Sequence, residues 1–337
     1  MSTRSRTPKD RLSRSKKSLP TGRSQGKLPF TIGVDIGATA TKFGVVQGAR
    51  IVHGPEVVQT ASFARPTSML NLLATQIAKL QRKYPVSSVG IGFPGFVDAE
   101  TGTVLDLTNV KGWRNVRFAT RLTRKTKLPC YCENDAKSMC YAEFLYGAGR
   151  GARNMLAITL GTGVGGAMVL DSKLYRGSAN LAGEIGQISI DINGVAGEYG
   201  NPGALEKYVG HREISALAQS LYSAAGSNSN SQIINIATLI DAASKKDLVA
   251  RKVWNVVAAK LAYALANCVW LIDPERIVVG GGVASAGRIL FGPLQEELRK
   301  LIPRSRLIKI QLLPAELGND AGLIGAAALA NSKTFAK

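Results

Sequence analysis

Acidic residues are scarce in this chain. Among 337 residues, 43 Lys and Arg face 23 Asp and Glu, a formal charge of +20. Nine of those cations, Arg4, Arg6, Lys9, Arg11, Arg14, Lys16, Lys17, Arg23 and Lys27, fall in residues 1–29 against the one acid Asp10, so the remainder carries +12. Large apolar residues are almost missing from that segment. It has little to bury, and a disordered basic tail over 1–29 is predicted. Such a tail suits contact with polyanions; a solvated tail without a partner is the simpler reading. It is too short and too polar for a winged-helix DNA-binding domain, so a nucleic-acid partner is not expected. Cysteine is rare as well. Cys130, Cys132, Cys140 and Cys268 show no disulfide framework, and a reducing cytoplasm is the expected compartment. Cys130 and Cys132 have no second pair nearby, which favours strand packing over zinc. Histidine occurs only at 53 and 211, which leaves little for Ser–His or His–metal chemistry. No apolar run approaches the roughly 20 residues of a membrane span, and no apolar stretch follows the basic N-terminus as a secretory signal requires. A membrane partner is therefore not expected. The length suits about two domains.

Glycine, by contrast, is abundant, and its spacing organises the chain. Ala157–Val169, AITLGTGVGGAMV, reads as strand, glycine turn, strand. Gly161, Gly163, Gly165 and Gly166 remove side chains where the backbone bends and comes close to a ligand. The turn amides with the Thr162 hydroxyl suit phosphate; a plain β-hairpin with a glycine turn fits the same residues. An earlier segment repeats the pattern. The strand FTIGVD over 30–35 runs through IGATATK into the strand FGVVQ, and Ile51–Val58 extends the meander. Asp35 at the strand end can hold Mg²⁺ through water, with Gly37, Thr39, Thr41 and Lys42 facing phosphate, or it can cap the turn.

A helix is predicted over 67–83 from Met69, Leu72, Leu73, Ile77 and Leu80, and a buried strand over 86–93 closing on Pro94-Gly95. The polar loop 107–113, LTNVKGW, follows. Its Asn109 and Trp113 fit a sugar-binding pair, or equally a turn Asn and a packed Trp. A strand over 128–132 leads into Glu133-Asn134-Asp135 and a helix over 136–146. Asp135 at that junction reads as a helix N-cap or as a general base held by the helix dipole. Glu184 lies between glycines in a loop that enters a strand. The glycine-rich stretch 193–203 precedes a helix over 204–210 that carries Glu206, and the two glutamates can converge on a polar ligand. Helices fill 211–250 around the polar loop 226–232. A long apolar helix over 253–271 stops at Asp273-Pro274. The run RIVVGGG over 276–282 reads as a buried parallel strand ending in a possible nucleoside-binding turn. A helix over 289–301, a strand over 308–313 and a small-residue helix over 320–330 complete the chain.

Eight segments in one order resemble the motifs of the ROK family of sugar kinases, within the actin-like ATPases: Asp35-Ile-Gly-Ala-Thr-Ala-Thr-Lys42, Gly92-Phe-Pro-Gly95, Glu133-Asn-Asp-Ala136, Leu160-Gly-Thr-Gly-Val-Gly-Gly166, Gly183-Glu-Ile-Gly186, Leu205-Glu206, Gly280-Gly-Gly282 and Asn319-Asp-Ala-Gly-Leu-Ile-Gly325. They span residues 30–330. The resemblance implies an α/β, two-domain actin-like/RNase H-like ATPase fold with a cleft between the domains. Residues 30–133 with about 318–335 would form the small domain and 134–317 the large one. It implies a hexose kinase that uses ATP and Mg²⁺, glucose to glucose 6-phosphate, with Asp135 as general base. Gly95, Asn109, Asn134, Glu184, Gln187 and Glu206 would bind the sugar. Asp35, Gly37, Thr39, Lys42, Gly161, Thr162 and Gly163 would face the phosphates, Asp35 would place Mg²⁺ through water, and Gly281 and Gly282 would lie near the adenosine. A homodimer is also implied. Polyphosphate as donor and mannose, fructose or an N-acetylhexosamine as acceptor stay open. So does a sugar-sensing regulator, although no helix-turn-helix precedes residue 30, and a structural nucleotide-binding protein of the actin type.

Four departures from the family pattern stand out. Ala38 replaces a second glycine in the first loop, Lys137 replaces an Asn, and Gln187 replaces a His. The zinc motif C-x-C-G-x-x-G-C-L-E is absent: Gly197, Tyr199 and Ala204 occupy its cysteine positions. No structural zinc is therefore expected, and the loop must hold by packing and hydrogen bonds.

Overall fold

The computed structural model describes residues 28–37, 39–60, 65–107, 110, 112–226 and 235–335. The basic segment 1–27, Ala38, Asn109 and most of the polar loop 226–232 lie outside the described residues.

The first sheet grows from local pairing. β1 (Phe30–Ile36), β2 (Ala40–Gln47) and β3 (Arg50–Gln59) form an antiparallel meander, with Asp35 opposite Lys42. After α1 (Pro66–Gln81), which opens on a proline already fixed for the first helical turn, β4 (Val86–Phe93) returns parallel to β1. A small hairpin, β5 (Phe96–Asp98) and β6 (Thr103–Asp106), and α2 (Phe118–Thr126) come next. Neither is expected from the sequence pattern. The strands are too short to show a period, and α2 buries only Phe118, Ala119, Leu122 and Thr126 along a narrow stripe in a charged segment. β7 (Cys130–Asn134) pairs parallel to β4 and feeds directly into α3 (Asp135–Tyr146).

The second sheet repeats the plan. β8 (Met155–Leu160), β9 (Val164–Leu170) and β10 (Lys173–Tyr175) are the antiparallel arm. The chain then runs through α4 (Glu206–Val209), α5 (His211–Ala224), α6 (Ile236–Ser244) and α7 (Leu248–Ile272) before β11 (Arg276–Gly280) pairs parallel to β8. Beyond it lie α8 (Arg288–Leu301), α9 (Arg304–Leu307), β12 (Gln311–Pro314) and α10 (Ala321–Phe335). The strand orders are β3-β2-β1-β4-β7 and β10-β9-β8-β11-β12. Three antiparallel strands and two parallel ones thus occur twice in the same arrangement, as the paired glycine hairpins suggest.

α3 and α10 tie the two sheets together. α10 packs on β1 and β4, α3 packs on β8 and β9, and the two helices cross each other. The crossing is close because side chains are missing there. A Cβ on Gly90 would overlap the Ala326 carbonyl, and one on Gly325 would overlap the Ser138 carbonyl. Both contacts are backbone, which has no rotamer to yield.

Three expectations need correction, and one open alternative is decided. The strand over 308–313 starts only at Gln311, because α9 and a turn occupy the preceding residues. Glu184 leads into one 3₁₀ turn, Ile185–Gln187, and the pairing beyond it is a single bridge, Ser189 to Ala204. α7, 25 residues, is long and apolar enough to cross a membrane by length and composition. Its Val253, Trp254, Val257, Leu261 and Leu265 are nevertheless buried in the core of the second sheet's half. Trp113 is a packed residue, 1% exposed and stacked on Phe118 at 5.5 Å.

Candidate active site

Parallel pairing assembles the first half of the site. β1, β4 and β7 run side by side, so their carboxyl ends share one edge of the sheet, where α/β proteins place ligands. That edge carries Asp35, Gly92 to Gly95, and Asn134-Asp135, with Asp35 beside Gly92 and Gly92 beside Glu133. The helix N-cap is Asn134, not Asp135. Its Oδ1 accepts the Lys137 N–H at 3.0 Å and its Nδ2 donates to the Gly95 carbonyl at 3.1 Å. Asp135 is left at the first helical position, where its carboxylate accepts from nearby backbone, chiefly the Ala136 N–H at 2.8 Å. Glu133, one residue earlier, is fully occupied: one oxygen takes the Asn134 N–H, and the other takes Arg176 through Nε at 2.8 Å and Nη2 at 2.7 Å. Of this Glu-Asn-Asp run, Asp135 is the one with proton-accepting capacity to spare.

The second half comes from the glycine turns. In the β8–β9 turn the Gly161 N–H bonds the Gly163 carbonyl, and Thr162 is exposed. Glu206 reaches this turn, its Oε2 accepting the Val164 N–H at 2.8 Å. Gly281, at φ +86, sits against the Leu160 backbone, so the β11 glycines adjoin the Gly161–Gly163 turn. Gly165 faces Ala136, where a Cβ would stand 2.9 Å from the alanine methyl. That contact sets the turn beside the start of α3 and hence beside Asp135. Gly37 belongs to the first turn, bonded by its own N–H to Ala40 and through its carbonyl to the Thr60 hydroxyl, while Thr39 is exposed. Lys42 donates to the Asn319 carbonyl at 2.6 Å, which ties the hairpin to the turn before α10.

The electrostatics follow from this crowding. Burial, then the charges of Asp35 and Glu184, push the Asp135 carboxyl up to about 7, against the Ala136 hydrogen bond. Burial also raises Asp35, with Lys42 opposing and Asp320 adding. Glu184 is raised by burial and by Glu206, with Lys137 opposing. Three carboxyls shifted the same way in one place make this cleft the candidate site.

Sequence reasoning missed several partners. Lys137, 1% exposed, donates to the Asn180 carbonyl at 3.1 Å and lies 3.7 Å from Glu184 Oε1. A lysine inside an otherwise apolar helix face was the available signal. Arg176 and His211 lie in no motif, and Asp320 lies in the Asn319–Gly325 motif without a role read from it. His211 adjoins Gly282, and its Nε2 is buried without a partner, as is Gln187 Oε1. Where the family's zinc would sit, the Asn201 amide donates to the Gln187 carbonyl at 2.7 Å and the Gly197 N–H bonds the Asn201 carbonyl. Among the described residues, no three His, Cys, Asp or Glu side chains cluster so as to hold a metal ion directly.

Removing the Lys137 charge tests this balance. Glu184 is then expected to titrate higher still, so Lys137→Met costs about 2 kcal/mol at alkaline pH and less as the pH falls and Glu184 takes up a proton. Equal melting-temperature losses at alkaline and acidic pH rule the pairing out.

A family model described as the ROK family matches residues 31–333. The chain belongs to the ROK family. Its curated relatives include a glucokinase of Thermotoga maritima, 31% identical over 88% of this chain and 96% of that protein. A solved ROK glucokinase of Streptomyces griseus, in complex with glucose and AMPPNP, superposes with a TM-score of 0.79 at 32% identity. The match covers 90% of this chain and 99% of that one. The fold is the actin-like ATPase fold of those kinases. Regulators also belong to the family: a xylose repressor of Caldicellulosiruptor bescii is 27% identical over 77% of this ROK chain and 68% of its own length.

Proposed function

We propose that this sugar kinase transfers the terminal phosphoryl group of ATP to a hexose hydroxyl, converting glucose to glucose 6-phosphate. The observation that carries the reading is Asp135. It is a half-buried carboxyl at a helix start, lifted to about 7, with Asp35 and Glu184 close enough to shift it and the Gly161–Gly163 turn alongside. A base titrating near neutrality can take a hydroxyl proton as the phosphoryl group arrives. Glu184, Glu206, the Asn134 amide and the orphaned Gln187 Oε1 accept or donate to the other hydroxyls. Gly95, whose carbonyl holds Asn134, shapes the same wall; Asn109, also expected to bind the sugar, lies outside the described residues.

The two glycine turns, Gly37 to Thr39 and Gly161 to Gly163, take the phosphates by backbone amides, with Lys42 near the first. Gly281 and Gly282 border the adenosine, and the partnerless His211 Nε2 faces the same side. Asp35 with Asp320 supplies hard carboxylate oxygens of the kind that hold the water shell of Mg²⁺. When bound, Mg²⁺ neutralises the charge that develops on the transferred group. Closure of residues 30–133 and 318–335 onto 134–317 excludes water from the transfer. The four buried cysteines, none of them in a disulfide, suit a reducing cytoplasm. Exposed Tyr263 and Trp270, a heptad apart on α7, suit a homodimer contact; a monomer mass by light scattering rules that out.

The test is coupled phosphorylation of glucose, mannose, fructose and an N-acetylhexosamine with Mg²⁺, once with ATP and once with polyphosphate. Glucose turnover with ATP is expected. Turnover with polyphosphate alone replaces the donor, preference for another sugar replaces the acceptor, and sugar binding without turnover by any donor moves the chain to the regulator side of the family.

A further inference from the structure

The hexose reading leaves one part of the molecule unused. Residues 196–202 form a tight hairpin, bridged from Ala196 to Pro202, held by Asn201 and turned at Gly200 with φ +85. Tyr199, at one of the positions where the family motif has a zinc cysteine, stands at its tip. Its ring meets Phe96, the residue after Gly95, at a centroid distance of 6.1 Å and a tilt of 43°. Tyr199 thus touches the wall that carries Asn134 and Asp135. Its phenol is raised by partial burial, then by the charges of Glu198, Glu184, Asp106 and Glu206, so the ring lies within electrostatic reach of the two glutamates of the candidate sugar site. The side chain is still 58% exposed, too exposed to be a core residue.

A hexose has hydroxyls at its rim and C–H groups on its faces. The carboxylates and amides found here can grip only the rim. A binding site for such a molecule needs an apolar surface as well, and the negative π-face of an aromatic ring attracts the positive C–H hydrogens. Two tilted rings 6.1 Å apart leave no gap for a sugar between them, so they present one continuous apolar surface.

We infer that Tyr199 and Phe96 form an aromatic subsite against which the C–H face of the acceptor hexose rests while Glu184 and Glu206 hold its hydroxyls. The inference rests on the hexose-kinase reading and adds to it a specificity element peculiar to a chain without the zinc cysteines. The subsite takes a pyranose whose hydroxyls are equatorial, so that the face against the rings carries only axial C–H bonds.

The experiment is calorimetric titration of the full chain with glucose in the absence of nucleotide, alongside steady-state KM and kcat. Tyr199→Ala is expected to weaken glucose binding about tenfold and raise KM in parallel, with kcat little changed. Tyr199→Phe keeps the ring and is expected to bind like the parent. Phe96→Ala is expected to weaken binding, and the double variant to lose less than the two single losses combined, because the rings act as one surface. The exposed Tyr199 contributes little to folding, so Tyr199→Ala melts with the parent protein. Unchanged glucose affinity in Tyr199→Ala overturns the inference. So does a Tyr199→Phe variant as weak as Tyr199→Ala, which assigns the effect to the hydroxyl. A parent protein that binds no hexose fails at the level of the proposed function, before the subsite is reached.

Discussion

Asp135→Asn is expected to lower kcat by about 10³-fold while leaving glucose affinity within roughly threefold. The amide keeps the shape of the side chain and its place at the head of α3. It loses only the ability to accept a proton. In the parent protein the active form is the charged carboxylate, and burial with Asp35 nearby lifts its titration to about 7. kcat/KM therefore rises with pH through about 7 and falls as the carboxyl takes a proton below it. A profile already flat from pH 5 removes Asp135 as the base, as does near-normal turnover in the Asn variant.

The same variant is expected to be more stable than the parent. Between about pH 4 and pH 7 the folded chain keeps a proton that the unfolded chain has released, so this carboxyl's contribution to stability falls as pH rises across that window. A shift of this size corresponds to about 4 kcal/mol at pH 8. Asp135→Asn removes that penalty, so its melting temperature should exceed the parent's at pH 8 and match it near pH 4. Loss of stability at pH 8 would show that the carboxylate is held by favourable contacts that outweigh its burial and the charges beside it. The working group, in other words, is kept at the expense of the fold.

Gly325→Val is expected to have the largest effect on folding. Its Cβ would overlap the Ser138 carbonyl where α10 crosses α3. Neither helix can step aside, because α10 is seated on β1 and β4 and α3 on β8 and β9. Overpacking of this kind costs about 3 kcal/mol, roughly 4–5 °C in melting temperature for a chain of this size, or no soluble protein. Gly292→Ala is the contrasting change. Gly292 lies exposed inside α8 with nothing within 4 Å of its missing Cβ, so alanine should stabilise by about 0.5–1 kcal/mol. If both variants melt alike, the close crossing of α3 and α10 is not what joins the two sheets.

Much of the fold could be read from residue order because its signals are local. A strand that ends in Asp35 and turns on glycine, a second one that turns at Gly161–Gly163, and an apolar strand that stops at Gly280 each announce themselves within a dozen residues. Hydrophobic periodicity and the missing Cβ atoms are properties of the chain itself. So are the absences that excluded disulfides and a zinc cysteine cluster. Element ends were less legible. The β5–β6 hairpin and α2 were invisible, since neither buries enough apolar surface to leave a period. α7 reached membrane length because an apolar run reads the same whether lipid or protein covers it.

The site depended on position in space. Nothing in residue order makes Asn134 rather than Asp135 the N-cap. That choice follows from β7 running straight into α3, and it is what frees the Asp135 carboxylate. The lift of Asp135 to about 7 needs Asp35 and Glu184 beside it, although one lies 100 residues before it and the other 49 after. Lys137 reads in the sequence as a mere departure from a motif, and becomes the partner of Glu184 only when α3 and the 183–187 loop meet. Tyr199 reads as a lost cysteine and becomes an aromatic surface only when its hairpin reaches Phe96. Local signals specify strands, turns and helices. Charge coupling and burial act through distance and dielectric, and these exist only once two sheets and two crossing helices bring remote segments together.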